Sequence, residues 1–94
     1  MNIENVIWMR SVVDKIMRKH DVMPDEVEQL FAGHPRFRFI EKGKTEGEDM
    51  YAAMGQTDEG RYLIVYFIRK SPIEALVITA REMESGERGR YGKK

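Results

Sequence analysis

The side chains of this sequence with chemistry to offer are mostly cationic. Lys19 and His20 stand together before Asp21-Val22, Arg61 directly follows Gly60, and Arg81 closes the run Ala75 to Ala80. Glu48 lies between Gly47 and Asp49 in a polar segment, and Tyr91 lies near the C-terminal end. Such a set suits cleavage of RNA through its own 2′-hydroxyl. A base removes the hydroxyl proton, cations hold the charge that gathers on the phosphorane, and an acid protonates the departing 5′-oxygen. Arginine forks match phosphate oxygens two at a time. Each residue taken singly also has a plain structural use. His20 suits a helix C-terminus, and Arg61 can close a turn with Asp58 or Glu59. Arg81 must snorkel, line a site or find a carboxylate such as Glu48, and Tyr91 can pack a tail helix onto a sheet.

Metal chemistry is not expected. His20 and His34 are the only histidines and lack the spacing of a zinc site, and the acids do not form an EF-hand loop. No phosphate loop, dinucleotide fingerprint or nucleophile elbow is present, so no cofactor is expected either.

These residues need elements to hold them. Asn5-Val6-Ile7-Trp8 reads as a short edge strand. Met9, Val12, Val13, Ile16, Met17 and His20 fall at helical spacing and make one apolar stripe ending at Lys19-His20. A second helix starts at Pro24, where the missing N–H is harmless, and ends at Gly33-His34-Pro35. Val22 and Val27 have the spacing of a hydrophobic staple around its start. Four strands follow: Arg36 to Phe39, Met50 to Gln56, Tyr62 to Ile68, and Ala75 to Ala80. In the first, alternation puts Arg36 and Arg38 on one face and Phe37 and Phe39 on the other, with the rings expected in the core. Thr57 to Gly60 has the length of a hairpin loop, and Lys70-Ser71-Pro72 turns the chain again. Arg81 to Tyr91 reads as a tail helix, loosened by Gly86 and Gly89. The order is β-α-α-β-β-β-β-α, an α+β domain with a mostly antiparallel sheet.

Composition bounds the function. The 94 residues suffice for a single domain, residues 1–94, with a thin core. Sixteen bases balance sixteen acids, which argues against a general nucleic-acid coater or a polybasic membrane binder. The balance is uneven along the chain: residues 45–60 carry five acids and no base, while residues 61–94 carry eight bases and four acids. There is no cysteine, hence no disulfide and no thiol nucleophile. Neither a signal peptide nor an apolar run of membrane-spanning length is read, so a soluble, cytoplasmic domain is expected.

Several segments together resemble a known family. Lys19-His20-Asp21-Val22, before the Pro24-Asp25-Glu26-Val27 helix start, resembles the Lys-His-Gly-Val element of BrnT-type toxins. Thr79-Ala80-Arg81, followed by Glu87 and Arg90-Tyr91, is similar to that family's Ser-Ala-Arg segment and Glu…Tyr helix. Gly47-Glu48 and Gly60-Arg61-Tyr62-Leu63 fall where the family has its Gly-Glu-x-Arg and Gly-Arg-x-Leu strands. The resemblance runs in order from Val6 to Tyr91. It implies a fold similar to RelE-type ribonucleases, metal-independent RNA cleavage that inhibits translation, and neutralisation by a small DNA-binding antitoxin, with a dimer in that complex as one arrangement. By position, Lys19, His20, Glu48, Arg61, Arg81 and Tyr91 would form or border the catalytic site, and Arg36, Arg38, Arg88 and Arg90 would bind RNA. The family glycine is here Asp21, and Asp49-Met50 stands where an arginine often follows the glutamate. A catalytically weak or inactive domain that binds a partner is the alternative.

Overall fold

The computed structural model describes residues 1–92. Its elements are β1 (Asn5–Ile7), α1 (Arg10–His20), α2 (Pro24–Ala32), β2 (Arg36–Glu41), β3 (Met50–Gln56), β4 (Tyr62–Ser71), β5 (Glu74–Glu82) and α3 (Ser85–Gly92). The strands form one sheet in the order β1-β5-β4-β3-β2. Consecutive strands β2 to β5 pair antiparallel, and only β1 runs parallel to its neighbour, β5.

Helices α1 and α2 cover one face of this sheet. Their stripes, Val12 and Ile16 from α1 with Val27, Leu30 and Phe31 from α2, meet Ala53, Leu63, Val65, Phe67, Val77 and Ala80 from the strands. Burying a side chain such as Ile16 or Leu30 contributes about 1.5–3 kcal/mol. Val22 and Val27 are both fully buried, as a staple requires. Gly55 lets α2 sit close, since a Cβ there would lie 3.2 Å from Leu30 Cγ. On the opposite face a smaller apolar group, Ala52, Met54, Ile64 and Met83, lies beneath Tyr62, Tyr66 and Tyr91. Among the described residues, helix α3 supplies the helical cover there.

Three details differ from the sequence reading. The tail is strand, not helix, until Glu82, because Arg81 and Glu82 pair with Ile64 and Leu63 and the Met83 N–H donates to the Tyr62 carbonyl. Helix α3 therefore starts only at Ser85. The turn before β5 sits at Pro72-Ile73, so Lys70 and Ser71 remain in β4. Phe37 packs against Phe31 and Phe67, but Phe39 is 53% exposed. It stands on edge strand β2 with its ring edge-on to that of Tyr51.

Candidate functional site

The direction in which Arg81 points is set by a bulge. From Phe67↔Val77 to Tyr66↔Thr79 the β4–β5 register skips Ile78. Before the skip Ala75 and Val77 enter the helix-side core; after it Ala80 does. A bulge of this kind turns every later side chain to the other face. Were Ile78 paired with Tyr66 in regular register, Arg81 would fall opposite Leu63 and lie under the helices. With the bulge, Arg81 emerges on the face that α1 and α2 leave uncovered. The carbonyl of Ile78 accepts from Lys15 Nζ of α1 at 3.0 Å, so the irregularity is anchored by a hydrogen bond.

On that face Arg36, Met54, Ile64 and Arg81 form one row across four strands. Three strand spacings put the two arginine backbones roughly 14 Å apart. Arg38, Ala52, Tyr66 and Thr79 form the next row. Rings and guanidinium groups interleave over these rows. Arg88 lies 4.1 Å above the Tyr62 ring, Arg36 5.7 Å from Tyr91 and Arg81 5.8 Å from Tyr66. Tyr91 meets Tyr62 edge-on at 6.0 Å, so it does pack the tail helix onto the sheet. Arg38 and Arg90 are exposed.

Arg81 takes its carboxylate from α3. Glu87 accepts from Nη1 at 2.7 Å and from Nη2 at 2.8 Å. It also accepts the Glu84 N–H at 2.8 Å, which secures the start of the helix. These bonds hold the Glu87 carboxyl down to about 2 and push the Arg81 guanidinium up. The pairing with Glu48 expected from the sequence does not form. Glu48 bonds Lys70 Nζ at 3.0 Å, and Lys70 lies six residues along β4 from Ile64, the partner of Arg81. That is roughly 20 Å of strand.

Arg61 lies on the helix side. Nε and Nη2 donate to Glu82 at 3.1 and 2.9 Å. Nη1 donates to Glu26 at 2.8 Å and to the Asp21 carbonyl at 2.8 Å. Burial alone would lower its pKa, but the two carboxylates outweigh that and raise it. One guanidinium thus ties together the end of α1, the start of α2 and the end of β5. The expected turn partners, Asp58 and Glu59, are not the ones used. The turn is held by backbone bonds and by Thr57 Oγ1, which accepts the Arg61 N–H, while Gly60 adopts a φ of 89°.

The predicted catalytic residues therefore divide. Lys19 and His20 end α1, and Arg61 bonds the carbonyl of Asp21, the residue that follows them. Arg81 and Tyr91 share the open face with Arg36, Arg38, Arg88 and Arg90. Glu48 stands at the far end. The sequence reading missed Tyr62 and Tyr66, which counted only as apolar strand residues, and the carboxylates Glu26 and Glu82; strand parity at Tyr62, Ile64 and Tyr66 carried the signal for the rings. Among the described residues no three His, Cys, Asp or Glu side chains gather as a metal-binding group, and no helix is long and apolar enough to cross a membrane.

A five-stranded mixed sheet, covered by two helices on one face and bearing arginines and tyrosines on the other, defines an α+β domain. The family described as ribonuclease toxin, BrnT, of type II toxin–antitoxin system matches residues 8–87, and the chain belongs to that family. The fold is similar to the 1.1 Å crystal structure of the Brucella abortus ribonuclease toxin BrnT, with a TM-score of 0.61 and 14% identity. The match covers 86% of this chain and 97% of that one. No curated protein matches the sequence. Membership of a type II toxin–antitoxin family implies an antitoxin partner.

Proposed function

We propose that this chain is a ribonuclease toxin that cleaves RNA by 2′-hydroxyl attack, without a metal, and so inhibits translation in the cytoplasm until a small DNA-binding antitoxin neutralises it. The observation that carries the reading is the open face, where Arg36, Arg38, Arg81 and Arg88 alternate with Tyr62, Tyr66 and Tyr91. Single-stranded RNA is held by such surfaces: cations take phosphates and rings take unstacked bases. Arg81 holds the scissile phosphate, Tyr91 shapes the pocket, and Arg36, Arg38, Arg88 and Arg90 hold the flanking strand. Lys19 and His20 end α1 on the helix side of the sheet and stand apart from this face. Arg61 organises that end. Glu48 stands outside.

The test is incubation of the purified chain with single-stranded RNA in the presence of EDTA. Cleavage should leave a 2′,3′-cyclic phosphate and a 5′-hydroxyl, spare DNA of the same sequence, and vanish in Arg81→Ala. Intact RNA, or products with a 5′-phosphate, would sink the reading.

One observation favours a second reading, a partner-binding member without turnover. Both strand-end arginines are already engaged by carboxylates, Arg81 by Glu87 and Arg61 by Glu26 and Glu82. Tight binding of the antitoxin by a chain that leaves RNA whole is its signature.

A further inference from the structure

The two strand-end arginines differ in which edges they leave open. A guanidinium has an end fork, Nη1 with Nη2, and a side fork, Nε with Nη2. In Arg61 the side fork is filled by Glu82, and Nη1 by Glu26 and Asp21. In Arg81 Glu87 fills the end fork, and Nη1 also reaches the Glu82 carbonyl at 3.1 Å. The side fork of Arg81 has one hydrogen bond, from Nη2 to the Tyr66 hydroxyl at a long 3.4 Å, and the exposed Glu84 carboxylate lies 4.0 Å from the same nitrogen. Nε makes no hydrogen bond to another described residue.

Tyr66 is placed to complete that edge. It stands one row from Arg81 on the same face, opposite Thr79 just past the bulge, and is half-buried. Its ring lies 5.8 Å beneath the guanidinium carbon, so ring and hydroxyl are held in a fixed relation to the fork. A hydroxyl donates as readily as it accepts. When an anion seats on Nε and Nη2, the Tyr66 O–H can turn to it as a third donor.

We infer that Tyr66 is a further catalytic residue: its hydroxyl and the side fork of Arg81 together seat the two non-bridging oxygens of the scissile phosphodiester, while Glu87 fixes the fork as a positioning residue. The inference rests on the ribonuclease reading above. The diester carries one negative charge and the phosphorane carries two, so a donor aimed at a non-bridging oxygen binds the second state more strongly. Tyr66 neither gains nor loses a proton in this role.

The experiment compares the full chain with Tyr66→Phe, which keeps the ring and removes the donor. Substrates are an RNA oligonucleotide and its two phosphorothioate diastereomers at the scissile linkage. Loss of one such donor should lower kcat on the order of 100-fold with KM little changed. Sulfur at one non-bridging position should slow the wild type, and that slowing should be absent in Tyr66→Phe. Wild-type kcat in Tyr66→Phe, or an equal sulfur effect in both proteins, would overturn the inference while leaving the ribonuclease reading intact. A wild type that cuts RNA with no sulfur effect in either diastereomer also overturns it, whether or not the variant folds. A wild type that leaves all substrates whole defeats both readings.

Discussion

Arg81 and Glu87 meet fork to fork, with Nη1–Oε1 at 2.7 Å and Nη2–Oε2 at 2.8 Å, and this pair joins β5 to α3 across the link formed by Met83 and Glu84. The same carboxylate closes the first turn of α3 through the Glu84 N–H. Helix α3 contains Gly86 and Gly89, so its position depends on this anchor more than on intrinsic helix strength.

Glu87→Gln should therefore lower stability by about 1.5–3 kcal/mol, the range for a hydrogen bond to a charged group. The acid limb gives a sharper check. The folded-state value of about 2 lies below the unfolded glutamate value of about 4.3. A depressed value means the contribution is complete above the unfolded pKa and is lost as pH falls through the folded one. Denaturant melts of the wild type should weaken between about pH 5 and pH 2, and Glu87→Gln should show a shallower slope there.

Arg61→Ala should destabilise the fold by roughly 2–3 kcal/mol, because it leaves Glu26 and Glu82 facing each other without a cation. Its cleavage rate per folded molecule should fall far less than that of Arg81→Ala. A double-mutant cycle with Glu26→Gln, read by urea melts, should give a coupling of about 1 kcal/mol or more. Additive effects would remove the clamp from the account.

Asp21 caps α1 at φ 54° and ψ 40°, a left-handed conformation that glycine enters most readily. It also puts an acid at the negative end of the helix dipole. Asp21→Gly should raise stability by about 0.5–1 kcal/mol, measured as a higher urea midpoint at unchanged slope. The Arg61 bond is to the Asp21 backbone carbonyl, so the substitution leaves it in place.

Arg38 is exposed on the open face. If it takes a phosphate, Arg38→Ala should weaken RNA binding across sequences and reduce the slope of log K against log salt by about 0.7. Fluorescence anisotropy with a 2′-deoxy-substituted, uncleavable RNA at several salt concentrations measures this.

Much of the fold was legible because the apolar spacing is regular. The stripe from Met9 to His20, the proline at the start of α2 and the two-faced apolar run of β4 each fix an element by local rules. The site was less legible, because it depends on which way side chains face. Arg61 and Arg81 looked equivalent in sequence, as single arginines at strand ends. Their division between faces follows from one unpaired residue, Ile78, that no alternation count reveals. The partners of Arg61 come from α2 and β5, 35 and 21 residues distant in sequence. A reading that looks first to the adjacent turn finds Asp58 and Glu59 instead. Arg81 and Glu87 are only six residues apart, but taking that stretch as one continuous helix hid the pairing.

The bulge at Ile78 also says something about how such a surface can be lost or regained. Amino-acid replacements at Ile78 leave the residue count of β5 unchanged, so they alter packing without moving Arg81 to the other side. Removing the residue is a different kind of event. The ladder would close into regular register with Val77 opposite Phe67 and Thr79 opposite Tyr66 as before, so Arg81 would stay opposite Ile64 on the open face and only the carbonyl that Lys15 holds would be lost. A three-nucleotide insertion after Ala80, paired in register, is the event that would move Arg81 opposite Leu63 and so beneath α1 and α2, with every original side chain chemically intact. The open face is thus indifferent to the loss of Ile78 from β5 and sensitive to the gain of one residue, a distinction that a scan limited to substitutions would never encounter.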